Sequence, residues 1–381
     1  MRTYSQTDVS PILIVTENLE VGGAEKYTVL VANELRARGR RVVVLANDGP
    51  FRKHFHPDIR FVRAFFERGI LGVLYGAFQM IRITLQERIP VIHAQKLESS
   101  KAAWLARFVT GVPIVKTAHG YTPKELTYLG SKIDKYSDKV VTVVDWLLPE
   151  LQKNGVQEDK LSVIYNGTGT EPCDVDRATL RAELGLKEED KVVLGMARLE
   201  RGKNFAALVQ WFGEVINQVP AAKLVIVGSG PEKRHLVDEV RELGLGEAII
   251  FVDAETTIRK YLEIADVFCT PTVARGMAVL EAMAASLPVV GIEPIGEPRV
   301  VQQGVTGYVI PKNDGKLFAE KLVHLLTNPE IARRFGVAGK RRALRQFSQS
   351  VMVDQLEQVY AEVAEREPRK SLVAQFIFRS A

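Results

Sequence analysis

Short apolar segments that each end in a glycine-containing or charged turn recur along the second half of the chain, between Lys191 and Pro298. Four such turns follow segments with the length and Val/Ile content of β-strands, and helical patterns separate the segments. This alternation predicts a parallel sheet, because parallel strands need a long crossover between them. Ligands bind at the carboxyl ends of the strands in such sheets, so a functional site is expected at these turns.

The first two turns carry residue types that suit a phosphorylated ligand. Arg198 and Lys203 share the turn in VVLGMARLERGKN, and two cations on one loop can neutralise a diphosphate. Gly228 and Gly230 precede Pro231 in LVIVGSGPEKR, and glycine lets a backbone approach a ligand without a Cβ in the way. Neither turn is specific by itself.

The third turn, in VFCTPTVARGMAVLEAMA, places Arg275, Gly276 and Met277 ahead of Glu281. Glu281 is predicted to open an Ala/Met-rich helix, where its carboxylate can accept hydrogen bonds from a ribose diol. The fourth turn follows the segment LPVVGI and runs into Glu297. Together the four turns favour binding of a nucleoside diphosphate.

The first half shows the same alternation, beginning with the strand PILIV and the pair Gly22 and Gly23 ahead of a helix over residues 24–38. The two glycines lie near a ligand or merely permit a tight turn. His119 ends the strand segment VPIVKTAHG and is expected at the carboxyl edge of the sheet. A lone histidine is more often structural than functional, so the residues alone leave its role open.

Read in order, these segments resemble the GT-B glycosyltransferases, in particular the large retaining family four. The matching words are VGGAEKYTVLVANEL, VIHAQ, KTAHG and VIYNGTG in the first half, and MARLERGKN, VGSGPEKR, ADVFCTPT, LEAMAASLPVV and GVTGYVIP in the second. The resemblance covers residues 12–360. It implies an α/β protein with two Rossmann-like, doubly wound parallel-sheet domains that face each other across a cleft.

The resemblance also implies domain roles and site roles. An acceptor-binding domain over residues 1–170 would precede a nucleotide-sugar donor domain over 171–349, and a terminal helix with a tail, 350–381, would cross back to the first domain. His119, Arg198, Lys203 and Glu281 would be the catalytic residues, with Arg198 and Lys203 on the diphosphate, Glu281 on the ribose and His119 on the sugar or phosphate. The donor site as a whole would comprise Gly22, Gly23, Arg198, Lys203, Gly228, Gly230, Pro231, Arg275, Gly276, Met277 and Glu281.

One position departs from the family. Most members carry a glutamate eight residues before the one that matches Glu281, where this chain has Val273, or Arg275 under another alignment. In the family that carboxylate contacts the donor sugar, so its loss leaves open which sugar is transferred. The leading interpretation is a retaining transferase that moves a sugar from a UDP- or GDP-sugar to a glycan or lipid-linked acceptor. The alternatives are a non-catalytic subunit of a glycosylation complex and a sugar-nucleotide epimerase.

No metal or other cofactor is expected, because fixed cations can stabilise a departing diphosphate. Asp174 and Asp176 form a DxD pattern of the kind that holds a divalent ion in other transferases, but Asp176 fits better as a helix N-cap. His54 and His56 lie in residues 51–68, which lack a third ligand at metal spacing and are interpreted as a solvated loop.

The composition says more about the binding partners of the protein than about the reaction that it performs. The net charge is +5, with 46% hydrophobic and 25% charged residues among 381, which suits anionic ligands or an anionic membrane face and shows no basic run that indicates nucleic acid. The apolar segment 69–81 is too short to span a bilayer. It is predicted to be a buried core helix, with contact to a membrane surface as the alternative.

Two cysteines and an N-terminus without a signal-peptide core predict a cytoplasmic protein in a reducing compartment. The basic balance, the apolar segment 69–81 and the C-terminal tail favour a role in envelope polysaccharide or lipopolysaccharide synthesis at the inner face of the membrane. Cys269 is predicted to be buried in a strand. The segment RRALRQFSQSVMVDQLEQVYAEVAER is predicted to be the terminal helix.

Overall fold

The computed structural model describes residues 10–66, 69–121, 123–169, 175–273, 276–292 and 300–365. It divides into two compact units. The first unit comprises Met1–Asn166 with Gln349–Ala381, and the second comprises Gly167–Ser348. The described part of each unit contains one sheet in which all neighbouring strands run parallel. This confirms the predicted pair of Rossmann-like α/β domains.

The sheet of the first unit has the strand order β3-β2-β1-β4-β5-β6-β7 in its described residues. Its strands are β1 Ile12–Val15, β2 Val42–Ala46, β3 Arg60–Arg63, β4 Val91–Ala94, β5 Ile114–Ala118, β6 Lys139–Thr142 and β7 Leu161–Val163. Its helices are α1 Gly23–Ala37, α2 Gly69–Glu87, α3 Leu97–Thr110, α4 Pro123–Tyr136, α5 Leu147–Lys153 and, after the second unit, α12 Gln349–Ala364. The order reverses between β1 and β4, which makes their carboxyl ends the switch point where such sheets bind ligands.

The described part of the predicted loop, residues 51–66, contains more regular structure than expected. Pro50–His54 forms a short 3-10 helix, and Arg60–Arg63 adds β3 to the edge of the sheet beside β2. Charged residues stand at both ends of this strand, and both are exposed. Its lack of an apolar run is typical of an edge strand, which explains why periodicity alone did not reveal it.

Helix α2 corrects the predicted buried helix. It runs from Gly69 to Glu87, and only one of its faces packs into the core, through residues such as Val73, Ala77 and Met80. The opposite face is also apolar but exposed. Among the described helices, none is both long and apolar enough to span a membrane.

Helix α12 is joined to the first unit by buried and charged contacts. Tyr360 Oη lies 2.7 Å from His93 Nδ1 on β4, and Arg38 after α1 donates to Asp354 at 2.6 Å and to Glu357 at 2.8 Å. The predicted single terminal helix is wrong in one respect: the helical run breaks at residues 347–348, between helix α11, Pro329–Gln346, and α12.

The second unit has the strand order β10-β9-β8-β11-β12-β13 in its described residues. The strands are β8 Lys191–Met196, β9 Ala222–Val227, β10 Ile249–Val252, β11 Val267–Val273, β12 Val289–Ile292 and β13 Gly307–Ile310. The helices besides α11 are α6 Arg177–Glu183, α7 Phe205–Gln218, α8 Lys233–Glu242, α9 Met277–Ala284 and α10 Gly315–Thr327. Cys269 is fully buried in the central strand β11, as predicted, whereas Cys173 lies outside the described residues.

Candidate functional site

The carboxyl ends of three neighbouring strands, β9, β8 and β11, meet at one edge of the second sheet. The turn after β8 carries Arg198 and a 3-10 turn, Arg201–Lys203. Asn204 follows in the left-handed conformation, with φ of 57°, and its side-chain amide donates to the carbonyl of Pro271 in β11 at 3.4 Å. This bond fixes the turn that bears Lys203 beside β11.

The turn after β9 packs directly on the turn after β8. Leu199 N donates to Ser229 O at 3.0 Å, and Leu199 O accepts from Glu232 N at 3.0 Å. A Cβ added at Gly228 would stand 2.1 Å from Ala197 O, and one added at Gly230 would stand 2.3 Å from Leu199 O. Both glycines are therefore required by this backbone packing, and their role toward a ligand stays a prediction.

The two cations that were predicted to bind phosphate differ in their surroundings. Arg198 pairs with Glu200 at 2.6 Å and is 72% exposed. Lys203 is exposed as well, and within the described ranges no carboxylate lies at ion-pair distance from it. Pro231 is also exposed in the adjacent turn. An anion approaching this edge would meet Lys203 directly, whereas Arg198 would have to leave Glu200.

Glu281 lies deeper than predicted. Helix α9 begins at Met277 after Gly276, so Glu281 occupies its second turn and does not open it, and it is 6% exposed. Gly276 has φ of +125°, a conformation that strongly favours glycine, and a Cβ there would meet open space. Val273 ends β11 and is half-buried. Arg275 and Glu297 lie outside the described residues.

Sequence reasoning missed further polar residues at this edge. Asp253, just after β10, accepts from Lys233 Nζ at 2.6 Å and lies 3.2 Å from Ser229 Oγ. Lys233 and Ser229 belong to the word VGSGPEKR, but Asp253 is far away in sequence, and no local pattern connects it to them. A shallow cavity lined by residues such as Lys191 and Asp266 opens at the opposite, amino edge of the same sheet, away from the turns after β8 and β9.

Gly22 and Gly23 stand at the start of α1 in the first unit. Gly22 is in extended backbone, with φ of −172°, and Gly23 is the first helical residue. A Cβ added at Gly23 would meet nothing within 4 Å, and one at Gly22 would meet only the Glu25 carboxylate, at 2.4 Å. The fold therefore does not demand glycine at Gly23, whereas a side chain at Gly22 would displace the buried Glu25 carboxylate, which is paired with Lys96. The role of the two glycines toward a ligand stays a prediction.

His119 follows β5 directly and lies at the switch-point edge of the first sheet. Its Nε2 is 2.8 Å from Gln95 Oε1, and its ring packs edge-on against Tyr27 at a centroid distance of 4.9 Å. Burial and then the positive charge of Lys116 lower the pKa of His119 to about 3. The lowered pKa favours the neutral imidazole near pH 7, which suits a hydrogen-bonding role.

Gln95 and Lys116 were not singled out from the sequence. Both are buried, at 1% and 0% exposure, and Lys116 Nζ lies 3.5 Å from the Gln95 carbonyl oxygen. Burial lowers the pKa of Lys116 to about 8. The available signal was a lysine within the mainly apolar strand IVKTA and an amide directly after the strand VIHA.

The buried imidazole of His93 predicts that the stability of the protein depends on pH. Burial lowers the pKa of His93, which is 0% exposed, to about 3, whereas an unfolded histidine titrates near 6.5. Between these values the unfolded state binds more protons, so stability falls as pH falls from about 6.5 toward 3. We expect a loss of up to about 1.4 kcal/mol per pH unit from this group. Denaturant unfolding at pH 6.5 and 5.0 measures this loss. In His93→Gln the free energy of unfolding should depend less steeply on pH. An unchanged pH dependence in that variant would contradict the assignment.

The DxD pattern is structural at its second position. Asp176 is the N-cap of α6, and its carboxylate accepts from the backbone N–H groups of Ala178 and Thr179 at 3.2 and 3.4 Å. Asp174 lies outside the described residues. In the part of the chain that the structure describes, no cluster of three His, Cys, Asp or Glu residues is disposed to hold a metal.

Comparison with known proteins identifies relatives of both units. The family model of Glycosyl transferases group 1 matches residues 176–342, and that of Glycosyltransferase Family 4 matches residues 21–171. N-acetyl-alpha-D-glucosaminyl L-malate synthase of Bacillus anthracis is 25% identical over 370 residues, which cover 90% of this chain and 94% of that protein. A phosphatidyl-myo-inositol mannosyltransferase of Mycobacterium leprae is 27% identical over 365 residues, 90% of this chain and 94% of that protein.

Solved structures agree with the sheet topology. The crystal structure of Anabaena HepE in complex with UDP and glucose has a TM-score of 0.79 and 19% identity, and the match covers 93% of this chain and 100% of that chain. At this identity the likeness concerns the fold. The two family models together match well over half of the sequence, and with the two parallel-sheet units they show that this chain belongs to the group 1, family four glycosyltransferases of the GT-B fold.

Proposed function

We propose that this protein transfers a glycosyl group from a UDP- or GDP-sugar to a glycan or lipid-linked acceptor, with retention of anomeric configuration. The observation that carries the proposal is the edge formed by β9, β8 and β11, where exposed Lys203 and Arg198 stand beside the 228–231 turn. A diphosphate leaving group carries the negative charge that such cations stabilise without a metal. Membership of the glycosyltransferases supports the same assignment.

Roles follow from these positions. Lys203 and Arg198 bind the diphosphate, while Gly276 and Met277 present the start of α9 to the donor and Glu281 accepts from the ribose. In the first unit, neutral His119 hydrogen-bonds to the sugar or a phosphate oxygen. Retention is inferred from the family, and attack on the same face as the departing diphosphate accounts for it without a protein nucleophile.

The donor-sugar contact distinguishes this chain from its family. Val273, at the end of β11, cannot accept a hydrogen bond with its side chain, so a sugar hydroxyl there lacks the carboxylate partner of other members. The competing candidates are therefore a non-catalytic subunit and a sugar-nucleotide epimerase. Transfer or donor hydrolysis by the purified chain excludes the subunit, and conversion of a sugar nucleotide without any acceptor would favour the epimerase.

The acceptor is proposed from the surface of the chain and from its relatives. The net charge of +5 and the exposed apolar face of α2 suit an acceptor presented at an anionic membrane, in envelope polysaccharide or lipopolysaccharide synthesis at the cytoplasmic face. One relative, the mannosyltransferase of Mycobacterium leprae, bears the name of a phosphatidyl-inositol acceptor. Complete absence from membranes after cell fractionation would count against this part of the proposal.

A thermal-shift panel tests the donor. A ligand that binds only the folded state stabilises it by about 2.7 kcal/mol at 100 times its dissociation constant. We expect a UDP-sugar or a GDP-sugar to raise Tm and the free sugar to have no effect. An ADP-sugar serves as the comparison. A panel in which no nucleotide sugar changes Tm would refute the donor assignment.

A further inference from the structure

Helix α2 is apolar around nearly its whole circumference, although only one side of it is covered. Half of the large hydrophobic residues that the described part of the chain exposes lie on this one helix. They are Ile70 77%, Leu71 72%, Leu74 53%, Tyr75 43%, Phe78 60% and Leu85 52% exposed. With 3.6 residues per turn they fall within about 140° of arc, opposite the residues buried against the core. We call these six residues the outer stripe.

The charges around the outer stripe are positive. Arg82 is exposed and falls within the same arc, and the sole acid of the helix, Glu87, lies at its end, where it is paired with Arg60. Exposed Arg63 lies with its guanidinium 5.0 Å from the centroid of the Phe65 ring. The Phe65 ring in turn lies 6.2 Å from that of Tyr75. Cations therefore stand both in the stripe and at its border.

We propose that the outer stripe of α2 docks on an anionic lipid surface. A helix lying in the interface buries one apolar face among acyl chains, while its cations meet lipid phosphates. Tyr75 suits this depth because tyrosine combines an apolar ring with a polar tip. This inference rests on the proposed function only for the purpose of the docking, which would be to bring the enzyme to a membrane-bound acceptor.

A second copy of the chain fits the stripe less well. A helix of this length is about 28 Å long and 10 Å wide, so the stripe offers roughly 300 Å². Stable interfaces bury about 800 Å² on each partner. A two-fold symmetric contact through the stripe would also bury Arg82 of both copies against a face whose six stripe residues include no acid to pair with it. Size and charge both favour lipid.

Vesicle co-sedimentation of the full chain tests the proposal. We expect binding to phosphatidylcholine vesicles that contain about 30% phosphatidylglycerol, weaker binding to pure phosphatidylcholine, and weaker binding again at high salt. The double variant Leu74→Gln with Phe78→Gln should lower the partition coefficient at least tenfold, because both side chains lose apolar burial. Arg82→Gln should reduce binding to anionic vesicles only.

The matched control is Val337→Gln in α11, a hydrophobic residue that is 59% exposed in the second unit; it should leave vesicle binding unchanged. Equal binding of the double variant and the parent chain would overturn the proposal. So would a dimer in light scattering that the double variant abolishes, because the stripe would then join two copies. Nucleotide-dependent Tm shifts, measured on the same proteins without lipid, separate failure of this inference from failure of the proposed donor chemistry.

Discussion

Replacement of Lys203 by alanine is expected to weaken binding of the donor nucleotide by about 10- to 100-fold. The ammonium group is exposed on the turn after β8, and no described carboxylate holds it. A hydrogen bond to a charged group contributes about 1.5–3 kcal/mol, and each 1.4 kcal/mol is tenfold in affinity. Calorimetric titration with the nucleoside diphosphate that the donor panel selects measures the change, and the corresponding nucleoside without phosphates should bind as before.

Arg201 provides the control within the same 3-10 turn. It is 92% exposed and lies 3.6 Å from Glu232, so Arg201→Ala removes an equal charge from the same turn and leaves Lys203 and Arg198 in place. Equal losses in Lys203→Ala and Arg201→Ala would show a general effect of net charge and contradict the assigned role.

A variant beside Arg198 is expected to change nucleotide affinity in the opposite direction. Its guanidinium now binds Glu200 at 2.6 Å, and a diphosphate would compete with that carboxylate. Glu200→Gln should therefore tighten nucleotide binding. Weaker binding in that variant would mean that Glu200 positions Arg198 and does not compete for it.

The two sheets were predictable because their strands are short apolar runs, which can be recognised from the local sequence without knowledge of the rest of the fold. The segments ILIV, VVVLA and KVVLGM contain the residues that form β1, β2 and β8. The outer stripe of α2 was not predictable in this way. A segment that is apolar all round is expected to be buried, and periodicity cannot reveal that only one side meets the rest of the chain.

The candidate site shows the same division. The turns that bear Arg198 and Lys203 were located from local sequence, because each follows a recognisable strand. The partners of the site residues were missed when they come from another strand: Gln95 after β4 meets His119 after β5. The glycines illustrate a further limit, since the sequence did not show that Gly228 and Gly230 are also required by the chain's own carbonyl groups. Their role toward a ligand stays a prediction.

The largest stability loss is expected from Asp138→Ala. The carboxylate precedes β6, accepts from Arg107 Nη1 at 2.6 Å and from Ile114 N at 2.9 Å, and both side chains of the ion pair are nearly buried, at 8% and 10% exposure. Removing one partner leaves a buried guanidinium without its counter-charge, at a cost of about 3–5 kcal/mol. For a unit of this size the melting temperature should fall by roughly 6–20 °C, which calorimetry measures.

Two further variants test whether the stability loss in Asp138→Ala comes from the isolated buried charge or from the loss of an ion pair as such. Asp58→Ala breaks an ion pair with Arg36 of the same length, 2.6 Å, in which the side chains are 57% and 32% exposed, and it should change stability little because water screens such pairs. Combining Asp138→Asn with Arg107→Met keeps an acceptor for Ile114 N–H and removes the unpaired cation. The double variant should therefore be more stable than Asp138→Ala, since the cost arises from the isolated buried charge and not from the absence of the ion pair.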